Sequence, residues 1–325
     1  MNSLRHRLFR HRSVVLFLAA ALLLLAQFAL ASPPPSAPAS AEALFRGRSG
    51  ALRALVVPPG ESLAGHLTLR PEAPATLLWT PLSTATMTHA EARKDDLRVP
   101  EQPGIWRLAL TQGEDAAAPT VITPVHFDGT KTHLNGYHIG RYPARQAGRT
   151  GRYAPPELFI EVTKQNQDFA LSEHFRLRQF LTKDQVNVWP KYLALDLRLV
   201  DKLELVLQEL RTQGFPAKRM HVMSGFRTPQ YNGPGGKGRA KFSRHTYGDA
   251  ADVWLDDDGD GQMDDLDRNG RVDQKDAEVL ARAVERVEQR HPELTGGYGV
   301  YPANSAHGPF VHIDVRGTAA RWSKR

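Results

Sequence analysis

Two short runs carry the residue types that hold a divalent metal. The first is Ser243-Arg-His245-Thr-Tyr-Gly248-Asp-Ala-Ala251-Asp252, and the second is Phe310-Val311-His312-Ile313-Asp314. Imidazole nitrogen and carboxylate oxygen are both zinc ligands, and a catalytic zinc needs three protein ligands plus an open position for water. His245, Asp252 and His312 are the candidate set. The 325-residue chain contains no cysteine. Disulfides, zinc–thiolate fingers, iron–sulfur clusters and thiol nucleophiles are therefore excluded, and any metal must be held by His, Asp and Glu.

Between the two runs lies a strongly acidic stretch. Residues 256–278 hold ten acids against Arg268, Arg271 and Lys275. Asp256, Asp258, Asp260, Asp264 and Asp267 fall at positions 1, 3, 5, 9 and 12 of a twelve-residue loop with Gly261 at position 6. That is the calcium-loop pattern, with hard oxygen ligands around a glycine that permits the sharp turn. A second copy starts nine residues later with Asp265, Asp267, Asn269, Gly270, Asp273 and Asp276. In this reading Asp265 and Asp267 bridge both loops. So many acids repel one another unless cations neutralise them, and the expected calcium is structural.

These residues need a scaffold. Ala250–Leu255 and Phe310–Val315 read as strands, as does His221–Met223. On the strand period of two, Phe310, His312 and Asp314 share one face, while Val311, Ile313 and Val315 share the other. Polar residues set between buried neighbours are costly without partners. From Leu193 to Leu210, Leu199, Leu203, Val206 and Leu210 recur on one helical face ahead of Gly214, and Asp276 to Arg290 reads as a second helix. Further upstream, Leu52–Val57, His66–Leu69, Thr76–Trp79, Ile105–Leu110 and Thr120–Phe127 are strand-like runs separated by Pro and Gly, which predicts a small β-sandwich-like domain over 50–127. Residues 128–156 read as a structured connection into an α+β domain.

The N-terminus reads as an address. Arg5, Arg7, Arg10 and Arg12 precede an apolar run from Val14 to Ala31, and Ala29-Leu30-Ala31 offers a small-x-small cleavage site. Residues 1–31 are expected to be a secretory signal peptide, leaving a membrane anchor if uncleaved. Residues 32–49 form a Pro/Ala-rich linker. Without the four arginines the formal charge falls from +7 to +3. No basic run with interleaved aromatics suggests nucleic acid, and a mildly basic body suits an anionic polymer such as a cell wall. The expected location is the bacterial periplasm or outside the cell, with no stable membrane insertion after cleavage.

Ser243-x-His245-x-x-Gly248-x-Ala250-x-Asp252, followed by a strand histidine, resembles the zinc peptidases that include D-Ala-D-Ala carboxypeptidases and dipeptidases. Hedgehog signalling domains and lysostaphin-type peptidases share that fold. Ser224-Gly-Phe-Arg227 is similar to the family's Ser-Gly-aromatic-Arg segment. Trp189-Pro190-Lys191-Tyr192 and the Val311-His312-Ile313-Asp314 ending are most similar to the YcbK-like branch. The resemblance covers about residues 130–325. It implies an α+β fold, a hedgehog/D-Ala-D-Ala peptidase-like antiparallel sheet with helices over 128–325. The acidic insert 256–276 lies within it and the small all-β domain precedes it. The resemblance also implies that His245, Asp252 and His312 bind zinc, that Arg227 steadies the substrate carbonyl as it becomes an oxyanion, and that Ser243 contacts substrate.

One departure matters. Many relatives carry an acid or histidine as general base three residues before the last ligand, and this chain has Pro309 there. Two groups can stand in. His307 precedes the strand in a Gly-containing loop, and Asp314 shares the strand face of His312. The preferred assignment is His307 as base and Asp314 as the carboxylate that orients a ligand histidine. The leading function is a zinc metallopeptidase that hydrolyses peptide bonds in peptidoglycan stem peptides, with D-Ala as the expected residue. A non-catalytic, zinc-containing wall-binding module and a calcium-dependent adhesion protein are the alternatives.

Overall fold

The computed structural model describes residues 46–63, 76–82, 90–93, 98–110, 120–143, 151–234 and 239–323. The expected signal peptide, the linker up to residue 45 and the strand His66–Leu69 lie outside the described residues. Among the described residues the architecture is mixed, with several small sheets and three α-helices.

The N-terminal part builds five strands: β1 (Ala54–Val56), β2 (Thr76–Pro81), β3 (Ala90–Arg93), β4 (Gly104–Leu110) and β5 (Thr120–Thr123). They form one sheet in the order β1-β5-β4-β2-β3, with β1 parallel to β5 and the other pairs antiparallel. Among the described residues this is a single mixed sheet, not two facing sheets. Neighbouring Ile105 and Trp106 point to opposite faces, yet each is only 1 % exposed, so both faces are covered at β4. Trp106 donates its indole N–H to Thr123 at 3.0 Å. Leu52, Ala54, Ile105 and Ile122 share one buried cluster with Phe159 and Leu203, and residues 43–325 form one compact unit.

Val125–His126 (β6), Leu158–Val162 (β9) and Lys191–Leu193 (β10) form a three-stranded sheet, while His133–Leu134 (β7) and Tyr137–His138 (β8) form a small hairpin. The expected run Thr120–Phe127 thus splits at Pro124, which cannot donate to a ladder. Helix α1 spans Leu197–Thr212. The apolar period extends back to Leu193, but Asp196 accepts a hydrogen bond from the Arg198 N–H and caps the helix start. Lys191–Leu193 pairs instead with Val162, Glu161 and Ile160. Asp201 of α1 accepts the backbone N–H groups of Arg48 and Ser49 at 2.8 and 2.9 Å. The end of the expected 32–49 linker is therefore docked to the helix.

The last sheet carries the chemistry-bearing runs. Its strands are β11 (Met220–Ser224), β12 (Ala250–Leu255), β13 (Gly297–Tyr301), β14 (Phe310–Asp314) and β15 (Ala320–Ser323), in the order β11-β12-β14-β13-β15. It is antiparallel except for the β13–β15 pair. Ala251, Val253, Leu255, Val311 and Ile313 are fully buried in one cluster with Ala277, Leu280, Val284 and Val287 of helix α3 (Gln274–Arg290). This leaves the alternate face of β12 and β14 for Asp252 and His312. The third helix, α2 (Pro229–Asn232), is a single turn capped by Thr228.

A buried ion cluster locks these layers. Lys202 of α1 has no exposed surface. It donates to Glu288 of α3 at 2.5 Å and to the Asp314 carbonyl at 2.8 Å. Glu288 also accepts the Gly296 N–H at 3.0 Å and pairs with Arg321. A buried ammonium is tolerated only with such partners. The cluster holds the end of β14 in place, and β14 carries His312.

Candidate metal centre

His245 sits in a 3-10 turn, Arg244–Tyr247, that ends at Gly248 in the left-handed conformation with φ 74°. A Cβ at Gly248 would lie 2.2 Å from the Ala194 carbonyl oxygen. Only glycine lets the chain turn this close to the α1 approach and enter β12 with Asp252 facing outward. Gly248→Ala is expected to destabilise the protein by roughly 1–3 kcal/mol from backbone strain, with the clash added to it. Urea unfolding checks this, and wild-type stability of the variant would contradict it.

Register brings the second histidine to the first run. Asp252 on β12 lies directly across from His312 on β14. The Nε2 of His245 is 3.1 Å from both Asp252 Oδ1 and His312 Nδ1, and His312 Nδ1 is 2.9 Å from Asp252 Oδ1. All three side chains are buried, and they form a group able to hold a metal ion.

The outward atoms of the ligand set are fixed. His245 Nδ1 hydrogen-bonds the Gly225 carbonyl at 2.7 Å. A carbonyl only accepts, so Nδ1 carries the proton and Nε2 turns its lone pair inward. His312 Nε2 lies 3.2 Å from Asp314 Oδ2. Asp314 is wholly buried and also accepts the Gly297 N–H at 2.7 Å and the Arg316 guanidinium. It therefore meets the ring nitrogen of His312 that points away from Asp252. Arg227 donates to Asp252 Oδ2 at 2.6 Å and to Ser224 Oγ at 2.8 Å, so its guanidinium adjoins the ligand set.

The electrostatics follow from this packing. Burial lowers the pKa of His245, outweighing the nearby Asp252 carboxylate. For His312 burial also acts downward, but hydrogen bonds to Asp252 and Asp314 win and raise its pKa. Burial alone would raise Asp252, yet the two imidazoles hold it well below the usual carboxylate range. Asp314 is likewise held low by His312 and Arg316 against the effect of burial. One oxygen and two nitrogens converging within about 3 Å need a shared positive charge, either a proton or a metal. Two imidazoles and one carboxylate make a donor set that suits zinc.

The cluster opens onto a cleft of about 1060 Å³. Ser243 lines it, next to His245. So does His307, whose ring packs edge-on against Phe310 with centroids 4.8 Å apart. His307 Nδ1 contacts the Gly308 carbonyl and its Nε2 meets Asn304 Nδ2, both at 2.7 Å. The acceptor nitrogen is therefore engaged by the Asn304 amide. Sequence reasoning did not identify Asn304, although its spacing of three from His307 in a Pro/Gly-bounded loop is a usable signal. Tyr301 and Trp322 also line the cleft, with the Trp322 indole donating to the Tyr301 hydroxyl at 2.9 Å. No local signal marks Trp322, because β15 reaches the site only through its pairing with β13.

The acidic insert forms two separate carboxylate groups able to hold a metal ion: Asp256, Asp258 and Asp260, and then Asp265, Asp267 and Asp276. Asp265 and Asp267, expected to serve both loops, fall in the second group with Asp276. Asp264 accepts the Asp257 N–H at 3.0 Å, Asp273 caps α3 through the Lys275 N–H at 2.7 Å, and the Asn269 amide donates to Asp267 at 2.7 Å. These three residues thus carry hydrogen bonds beside the two groups. Burial first, then the neighbouring Asp257, Asp258 and Asp256 carboxylates, raise the pKa of Asp264. Comparison with known protein families, characterised proteins and solved structures finds no match for this chain.

Proposed function

We propose that this protein is a zinc metallopeptidase that hydrolyses peptide bonds in peptidoglycan stem peptides at D-Ala, on a hedgehog/D-Ala-D-Ala peptidase-like sheet. The observation that carries the reading is the convergence of His245 Nε2, His312 Nδ1 and Asp252 Oδ1 at the floor of an open cleft, with Arg227 bonded to the same aspartate. His245, Asp252 and His312 would hold the zinc, which supplies Lewis-acid polarisation of a carbonyl and an acidified water. Arg227 stabilises negative charge developing on the scissile carbonyl oxygen. His307 would accept the proton of the attacking water at Nε2, the nitrogen that faces the Asn304 amide, and return it to the leaving amine. Asp314 fixes the ring of His312. The resemblance in Ser243–Asp252 and Ser224–Arg227 supports the same reading. Among the described residues no helix is long and apolar enough to cross a membrane. Export through the N-terminal signal would place the protein beside its wall substrate.

The test is to incubate the protein with purified peptidoglycan, with and without chelator, and to read the products by mass. Zinc-dependent loss of D-Ala or cleavage of the stem is expected. The engagement of His307 Nε2 by Asn304 favours one rival, a wall-binding module that uses the cleft without hydrolysis. Wall co-sedimentation with unaltered peptidoglycan would establish that rival.

Calcium is the proposed occupant of the two carboxylate groups in the insert, since both are built from hard oxygen donors around glycine turns. Calcium is expected to raise the melting temperature, and magnesium at equal concentration to raise it less. Because the groups are separate, Asp256→Ala and Asp265→Ala should each remove about one calcium per chain. Indifference of the melting temperature to calcium would leave the insert as a solvated acidic loop.

A further inference from the structure

We infer that Arg239 makes a carboxylate-binding subsite in the cleft, so that the ligand of this site carries a carboxylate. The inference deepens the peptidase reading, but its binding test does not depend on hydrolysis. Among the described residues four arginines line the cleft: Arg227, Arg239, Arg244 and Arg316. Three are already paired with buried aspartates. Arg227 pairs with Asp252, Arg244 with Asp249 and Arg316 with Asp314.

Arg239 differs from the other three. Its Nη1 donates to the Tyr231 carbonyl at 2.5 Å, and its guanidinium lies 4.4 Å above the Tyr231 ring. It pairs with no carboxylate among the described residues, and the stretch from Gly233 to Phe242 contains no acid. The contacts to Tyr231 engage Nη1 and one face of the guanidinium, and the side chain lines the cleft. A fixed, planar guanidinium matches a carboxylate in a two-point contact, which a flexible ammonium does not. Tyr301, Phe310 and Trp322 give the same cleft an aromatic lining, with Tyr301 stacked on Phe310 at 4.5 Å. A carboxylate at the end of a peptide or on its side chain would satisfy the same group.

The experiment measures binding of three peptides by calorimetry to the full zinc-loaded protein, with hydrolysis read by mass on the same samples. The first is acyl-Lys-D-Ala-D-Ala with a free carboxyl terminus. The second is its C-terminal amide, and the third is an amide with a D-Glu side chain in place of one D-Ala. The free acid is expected to bind roughly 10–100-fold tighter than the amide, as for a charged hydrogen-bonded pair. Arg239→Ala and Arg239→Gln should abolish that preference, and Arg239→Lys should keep part of it. Preference for the D-Glu amide over the plain amide, lost in the same variants, would place the carboxylate on a side chain and still support the subsite. Equal binding of acid and amide, no binding of any peptide, or discrimination that survives in both Arg239→Ala and Arg239→Gln would overturn it. Cleavage without discrimination removes the subsite and leaves the peptidase reading intact. Discrimination through Arg239 without cleavage does the reverse.

Discussion

His245→Ala and His312→Ala are each expected to lower bound zinc from about one per chain to near zero after dialysis, because three protein ligands are the minimum for such a site. Hydrolysis of wall peptides should fall with it by at least roughly a thousandfold. The structure makes the loss specific. Each imidazole has its outward nitrogen committed, to the Gly225 carbonyl for His245 and to Asp314 for His312. No other His, Asp or Glu joins the group among the described residues. Metal analysis on the folded variants checks the result, and full zinc in both would sink the assignment. The same binding should depend on pH. The raised pKa of His312 means that its proton, shared with Asp252 and Asp314, persists above the usual imidazole range. That protonated contact stabilises the metal-free protein fully below about pH 6.5, the unfolded imidazole pKa, and the contribution is lost as pH rises through the higher folded value. Metal must displace the proton, so apparent affinity should fall about tenfold per pH unit below that folded value. Proton release measured in buffers of different ionisation enthalpy tests the sign.

His307→Ala should cut turnover by about 10²–10⁴-fold, the usual contribution of a general base, while leaving zinc bound. Asp314→Asn should instead weaken zinc about 10–100-fold, as loss of an outer-shell carboxylate does, and reduce turnover with it. The two side chains sit in different surroundings. Asp314 is wholly buried and already accepts from Gly297 and Arg316 as well as facing His312, so it has no route to a water in the cleft. His307 lines the cleft, and its one acceptor nitrogen is held by the side-chain amide of Asn304. Asn304→Ala should therefore free that nitrogen and alter the pH dependence of turnover more than the affinity for zinc. If His307→Ala keeps wild-type turnover while Asp314→Asn abolishes it with zinc intact, the roles are exchanged. If the parent protein shows no turnover at all, the wall-binding reading replaces the catalytic one.

Part of the arrangement of the candidate ligands was legible in local pattern. The alternation of Phe310–Asp314 showed that His312 and Asp314 share a face, and Ala250–Leu255 read as a strand of matching period. Those periods follow from backbone geometry and need no distant partner. Helix ends were less legible. The apolar repeat ran back to Leu193, but Lys191–Leu193 pairs with β9 and Asp196 starts the helix. A three-residue strand competes with a helix only through a partner elsewhere in the chain. The insert divided in a similar way. Spacing alone let Asp265 and Asp267 serve two loops, whereas folding placed Asp276, at the start of α3, beside them and gave both to one group.

Composition by itself determined that no thiol chemistry operates here and that nitrogen and oxygen donors must do any metal binding. The motif spacing determined which histidines and aspartates were candidates. Tertiary structure alone decided that Asp252 faces His312 across the β12–β14 register, because strand pairing is a long-range choice that no window of sequence contains. It also decided that Arg227, Arg244 and Arg316 each meet an aspartate while Arg239, among the described residues, does not. Which charges are neutralised depends on which side chains folding brings within a few ångströms, and sequence order does not encode that distance.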